Sequence, residues 1–215
     1  LKENLDFLKE LNDYGFYHDA DFGDVNGDGL IDIVAARRVS QIPLEGIPGG
    51  HLGVFIQNSD GTFYMNNSII EYPKIENGEL LIREIPLSVG VSDLNNDNVS
   101  EIITYQSNFQ FRKDSIGNID LMNNPIVVWE FNSTKNKLEA NFNNFNIHDI
   151  NQHGENYRYE YGENIKRYAE ISPTSTRFGD FNNDGLVDIA IAFEGKHVGF
   201  EIWLNTGENK FEFSF

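Results

Sequence analysis

One short acidic pattern recurs three times, as Phe22-Gly23-Asp24-Val25-Asn26-Gly27-Asp28-Gly29-Leu30-Ile31-Asp32, as Val91-Ser92-Asp93-Leu94-Asn95-Asn96-Asp97-Asn98-Val99-Ser100-Glu101, and as Phe178-Gly179-Asp180-Phe181-Asn182-Asn183-Asp184-Gly185-Leu186-Val187-Asp188. A pattern repeated at this length requires one local structure to be built three times, each copy leaning on its neighbours. Each copy runs into an apolar stretch, 33–36, 102–105 and 189–193, and a second apolar run follows at 53–58, 127–132 and 200–205, ending at Asn and a turn. Apolar runs of this length, punctuated by Asn, Asp and Gly, read as strands. Every unit then reads as strand, acidic loop, strand, longer connection, strand, tight turn, strand. Such four-stranded meanders predict an all-β fold of three β-propeller blades at 15–75, 76–146 and 147–215. A lead-in at 1–14 precedes them, where Leu1, Leu5, Leu8 and Leu11 are spaced as on one face of a helix.

The loops carry side-chain oxygens at positions one, three, five and nine: Asp24, Asn26, Asp28 and Asp32 in the first, Asp180, Asn182, Asp184 and Asp188 in the third. Alternate positions of a tight loop converge, and carboxylates with an amide oxygen form the hard-oxygen set that suits Ca²⁺. Gly29 and Gly185 at position six permit a left-handed backbone, and the carbonyls of Leu30 and Leu186 supply a further oxygen. Two carboxylates ~5 Å apart repel by roughly 3 kcal/mol at an effective dielectric of ~20, a repulsion that a divalent ion reverses. The plainer alternative is a set of Asx turns, in which the same residues only bond their own backbone. The second loop, Asp93, Asn95, Asp97, Val99 and Glu101, is the weaker candidate, with Asn98 in place of Gly and Glu in place of the last Asp. A helical EF-hand needs an acidic ligand at position twelve, and here that position holds Ala35, Thr104 and Ile191.

In these residues the chain resembles FG-GAP repeats, also called VCBS repeats, of integrin-alpha-type propellers and many secreted bacterial proteins. The resemblance covers all three units. It implies a β-propeller with one Ca²⁺ per acidic loop and an extracellular adhesion or ligand-binding role. It also implies ligand sets of Asp24, Asn26, Asp28, the Leu30 carbonyl and Asp32; of Asp180, Asn182, Asp184, the Leu186 carbonyl and Asp188; and, third, of Asp93, Asn95, Asp97, the Val99 carbonyl and Glu101. Closed propellers have four to eight blades, so further blades outside this chain are expected as partners.

Composition narrows the rest. With 16 Lys+Arg against 34 Asp+Glu in 215 residues the net charge is -18, which argues against nucleic acid and anionic membrane and for a multivalent cation. A hydrophobic fraction of 40% separates the chain from disordered acidic tails. No run reaches the ~18–20 apolar residues of a membrane span. The absence of Cys removes disulfides, thiol nucleophiles and Cys-ligated metals together. The start at Leu1 predicts a mature or excised piece. Extracellular Ca²⁺ modules bind at about 10⁻⁴–10⁻³ M, which predicts a secreted or cell-surface protein.

No His-Glu-x-x-His, Gly-x-Ser-x-Gly or phosphate-loop pattern occurs, and His18, His51, His148, His153 and His197 lack ligand spacing. The expected role is therefore noncatalytic, with the alternative of an ancillary or catalytic propeller domain in a secreted polysaccharide-degrading enzyme. The long stretches 105–124 and 141–171 exceed what a blade turn needs. In the latter, Tyr157, Tyr159 and Tyr161 alternate with Arg158 and Glu160, so an extended segment would line three rings along one face. That row is a candidate surface for a glycan or protein ligand, or else ordinary strand packing. Sequons at Asn66, Asn98 and Asn132 matter only in a glycosylating host.

Overall fold

A computed structural model describes residues 16–38, 52–72, 86–106, 126–141, 158–160, 166–168, 171–195 and 199–214. The predicted helix over 1–14 lies outside them. The first sheet takes β1 (Phe16–Gly23), β2 (Asp32–Arg38), β3 (Leu52–Gln57) and β4 (Phe63–Met65) in sequential order. After a 3₁₀ turn at Asn67–Ile69 and β5 (Ile70–Glu71), the second sheet takes β6 (Pro86–Ser92), β7 (Glu101–Gln106), β8 (Ile126–Asn132) and β9 (Lys137–Asn141). A separate hairpin of β10 (Arg158–Glu160) and β11 (Lys166–Tyr168) follows. The third sheet takes β12 (Ile171–Gly179), β13 (Asp188–Gly195), β14 (Gly199–Asn205) and β15 (Phe211–Phe213), again in order. The architecture is thus all-β, with three antiparallel meanders of four strands. The residues 15–75 do not all belong to one sheet, because β5 pairs in parallel with β9 and makes the second sheet five-stranded.

The repeat extends to register. Gly23 stands opposite Asp32, Ser92 opposite Glu101, and Gly179 opposite Asp188, so each acidic loop leaves and re-enters its sheet at the same pair. Register slips by one residue between Tyr17 and Asp19, Pro86 and Ser88, and Pro173 and Ser175, in each case six residues before the loop's first Asp. Such a β-bulge bends its strand and raises the local twist. The third strands align as Phe55, Trp129 and Trp203, opposite Ile33, Ile102 and Ile189. Gln57, Phe131 and Asn205 are therefore equivalent, and the Asn residues that end the apolar runs at 58 and 132 sit one position later than Asn205.

Directly opposed residues of neighbouring strands share a face. Each sheet's front face carries the row Phe22–Ile33–Phe55, Val91–Ile102–Trp129 or Phe178–Ile189–Trp203, and its back face carries Val34–Val54, Ile103–Val128 or Ala190–Ile202. Two apolar clusters form where a back face meets the next front face: Val34, Val54 and Val25 pack with Val91, Ile102 and Trp129, and Ile103, Val128 and Leu94 pack with Ile189, Trp203 and Phe211. The seams close on glycines. A Cβ on Gly90 would stand 2.6 Å from the Phe178 ring, and one on Gly23 would stand 2.7 Å from Val91 Cγ1. Polar bonds cross the same seams where the first strands meet: Val91 N–H donates to Asp21 (2.8 Å), Ser88 Oγ–H donates to Asp19 (3.0 Å), and the Ser88 and Thr176 hydroxyls lie 3.0 Å apart. β6 therefore runs between β1 and β12.

Two outcomes test this packing. Gly90→Ala forces the first strands apart and should destabilise by about 1–3 kcal/mol, read by urea unfolding; an unchanged midpoint would show that the seam is slack. Glu201, on β14, is raised from 4.5 to about 7 by burial, against the lowering effect of the Trp203 Nε1–H bond to its carboxylate. The folded state then holds the proton more tightly than the unfolded one, so this contribution is full below about pH 4.5 and is lost as pH rises toward 7. Glu201→Gln should accordingly match wild type near pH 4.5 and melt higher above pH 7; parallel profiles would refute the assignment.

Candidate metal centres

The three acidic loops close by one scheme. The position-one carboxylate accepts the amides of positions five and six, from Asp28 (3.2 Å) and Gly29 (2.7 Å) to Asp24, from Asp97 (3.1 Å) and Asn98 (2.9 Å) to Asp93, and from Asp184 (3.0 Å) and Gly185 (2.9 Å) to Asp180. The Asn26, Asn95 and Asn182 side-chain oxygens accept the position-five amide, and the Asp28, Asp97 and Asp184 carboxylates accept the position-seven amide. Such turns require a left-handed residue at position six, and Gly29, Asn98 and Gly185 have φ of 83°, 69° and 87°. Asn takes this region more readily than other side chains, which is why the second loop closes without Gly.

The position-nine carboxylate bolts the loop to the sheet. Asp32 and Asp188 are fully buried and Glu101 nearly so. Each accepts the position-two amide, from Val25 (3.1 Å), Leu94 (2.8 Å) and Phe181 (2.8 Å). In the first and third loops the second oxygen accepts the amide that ends the third strand, from Gln57 to Asp32 (3.0 Å) and from Asn205 to Asp188 (2.8 Å). Glu101 differs. Its other oxygen is bonded by Asn95 Nδ2 (3.0 Å), whereas Asn26 and Asn182 turn the same amide to Asp28 (3.0 Å) and Asp184 (2.8 Å). Burial raises Asp32 to about 6 against the bonds from Gln57 and Val25, with the charges of Asp28 and Asp24 adding to the rise. Burial likewise raises Glu101 to about 7 against the Leu94 bond, helped by Asp97, Asp93 and Glu130.

The structure brings positions three and five together in the first and third loops, and positions three and nine together in the second. Among the described residues it does not gather three acidic side chains around one point, because the carboxylates face loop amides instead. The donor set still suits a hard cation. An ionised carboxylate offers about four lone-pair sites; Asp28, Asp93, Asp180 and Asp184 each use two of them within the chain, and Asp97 uses one. Asp24 accepts four amides, three of them sharing Oδ1 (from Asn26, Gly27 and Asp28) and one on Oδ2 (from Gly29), which leaves a lone-pair site of Oδ2 open. No described Lys or Arg pairs with any of these carboxylates.

Beside the second loop a cavity of about 400 Å³ is bordered by Asp97, Glu101, Glu130 and Asn209. Asn209 Nδ2 donates to Glu130 (3.1 Å) while its buried Oδ1 has no partner. Sequence reading missed Gln57, Asn205 and Asn209, since nothing in their spacing marks them apart from other turn residues. Of the aromatic row, Arg158 and Tyr159 lie in β10, with Tyr159 opposite Arg167, whereas Tyr157 and Tyr161 fall outside the described residues.

Asp188→Ala leaves the buried Asn205 amide and the part-buried Phe181 amide without an acceptor, the first worth about 1–3 kcal/mol and the second about 1 kcal/mol. In chelator it should therefore cost about 2–4 kcal/mol, against about 1 kcal/mol for Asp184→Ala, whose bonds are exposed. Thermal unfolding of both variants checks this order, and equal costs would contradict the bolting role.

Comparison with protein-family models and with curated proteins finds no match, so these loops are read from their own residues and geometry.

Proposed function

We propose that this chain is a Ca²⁺-binding segment of an extracellular β-propeller of the FG-GAP (VCBS) kind, a noncatalytic scaffold for adhesion or for binding a glycan or protein ligand. The observation that carries the reading is the threefold recurrence of one acidic loop at one register position of one four-stranded meander, with the three first strands side by side. In a propeller those strands line the axis, and successive sheets pack face to face around it. Three blades fall short of the four to eight of a closed ring, so further blades belong to the assembly.

Calcium is supported by the oxygen-only donors, their uncompensated charge and the preformed turn. Asp24, Asn26, Asp28, the Leu30 carbonyl and Asp32 would hold one ion, and Asp180, Asn182, Asp184, the Leu186 carbonyl and Asp188 another. The second loop, with Glu101 engaged by Asn95, is the weaker site. Ca²⁺ at extracellular concentration fills sites of this affinity class, which supports a role outside the cell or on its surface. Among the described residues no helix is long and apolar enough to cross a membrane.

Millimolar Ca²⁺ should raise the melting temperature above that in chelator, since one site of this affinity class, at roughly 1–10 Kd, adds about 0.4–1.4 kcal/mol. Asp28→Ala and Asp184→Ala should each remove a large part of that rise and about one bound ion by titration calorimetry, whereas Asp97→Ala removes less. Identical melts with and without Ca²⁺ would sink the metal reading and leave Asx turns.

A further inference from the structure

Each internal seam pairs a back face with the next front face, and the same residue positions are covered wherever a neighbour exists, except that Phe178 is only part-buried. On the front face, Val91 is 6% exposed, and Ile102, Trp129, Ile189 and Trp203 at most 1%. The first sheet has no preceding sheet among the described residues, and there Phe22 is 69% exposed while Ile33 and Phe55 are only half-buried. On the back face, position two of the loop is buried as Val25 and Leu94, and Val34, Val54, Ile103 and Val128 are at 0%. The third sheet has no following sheet among the described residues; there Phe181 is 45% exposed, and Ala190 and Ile202 are half-buried. One molecule therefore carries both halves of the seam it makes twice internally, and it leaves both open at opposite ends of the array.

We propose that these two faces are an interaction surface for a second copy of this chain, the back face of the third sheet in one molecule seating on the front face of the first sheet in the other. Phe181, Ala190 and Ile202 then take the place held internally by Leu94, Ile103 and Val128, and Phe22, Ile33 and Phe55 that of Phe178, Ile189 and Trp203. The occupant follows from continuity with the two seams already formed: the open faces repeat their apolar rows on the second and third strands and their strand register, with Arg177 standing where the internal back faces carry Asp21 and Gly90. A head-to-tail contact of this kind either closes into a ring or grows into a filament. Used at both ends by two chains, it gives a closed ring of six sheets, within the range that propellers occupy. The inference rests on the stacked-sheet part of the propeller reading and needs no calcium.

Sedimentation velocity of the purified chain, with and without chelator, is the test. The expected result is a species of twice the chain mass in both conditions. Phe22→Asp and Phe181→Asp should each yield single chains, because each spoils one half of both seams. Mixed together they should regain a two-chain species, since one intact back face then meets one intact front face. Both side chains are exposed in the isolated chain, so the variants should keep the wild-type circular dichroism, with a melt lowered only by the lost association, and Phe22→Ser and Phe181→Ser repeat the comparison without added charge. Single chains at every concentration of wild type, or association that survives these substitutions, would overturn the proposal and assign the faces to sheets elsewhere in a longer polypeptide. A calcium-dependent melt alongside that outcome would leave the metal reading standing, and a two-chain species with a calcium-independent melt would do the reverse.

Discussion

A carboxylate without exposure, Asp32 or Asp188, ends each outer acidic loop and accepts two backbone amides, one from the loop and one from the close of the third strand. A buried carboxylate is costly unless hydrogen-bonded, and these two bonds are what make the position tolerable. They join residues far apart in sequence, fix where the loop enters the sheet, and so fix the orientation of the donors at positions one, three and five. Glu101 does the same for the second loop with a longer arm, taking a side-chain amide in place of the strand amide. That single methylene redirects Asn95 and gives the second loop a chemistry of its own.

From this anchor the register of each sheet follows, and from register the seams. A front face bearing Trp129 or Trp203 is matched by a back face of β-branched residues, and the first strands approach closely only because Gly23 and Gly90 carry no side chain. The Asp19 and Asp21 carboxylates accept the Val89 and Val91 amides of β6, which satisfies donors on that first strand. Burial and hydrogen bonding thus act at the same contact, and each sheet depends on the next for its core.

Much of this was legible in the sequence. The order of strand, acidic loop and strand, the meander, and the left-handed turn at position six could be read from Asp, Asn and Gly spacing, because local backbone chemistry dictates them. Asn98 shows that even the departure from Gly was readable, with φ of 69°. What sequence hid was set by long-range packing. Ile70 and Glu71 look like the tail of the first unit, yet they pair with Leu138 and Glu139 because Ile69 and Ile70 bury in the core shared by two sheets. The apolar runs ending in Asn58, Asn132 and Asn205 look aligned, yet register offsets the last by one residue. The loop donors were read as converging on an ion; that their carboxylates also accept loop amides is a pattern that spacing alone does not show.

The path of the chain has one more consequence. In every sheet the first and second strands are joined at the acidic end, as are the third and fourth, while the second and third are joined at the other end by connections at 39–51, 107–125 and 196–198. These connections differ widely in length although the strands on either side keep their register. Insertion has been absorbed at one pole of the molecule without disturbing the geometry of the other. The two poles are thus free to diversify independently, one under the stereochemical discipline of a fixed turn and the other open to change in length and chemistry.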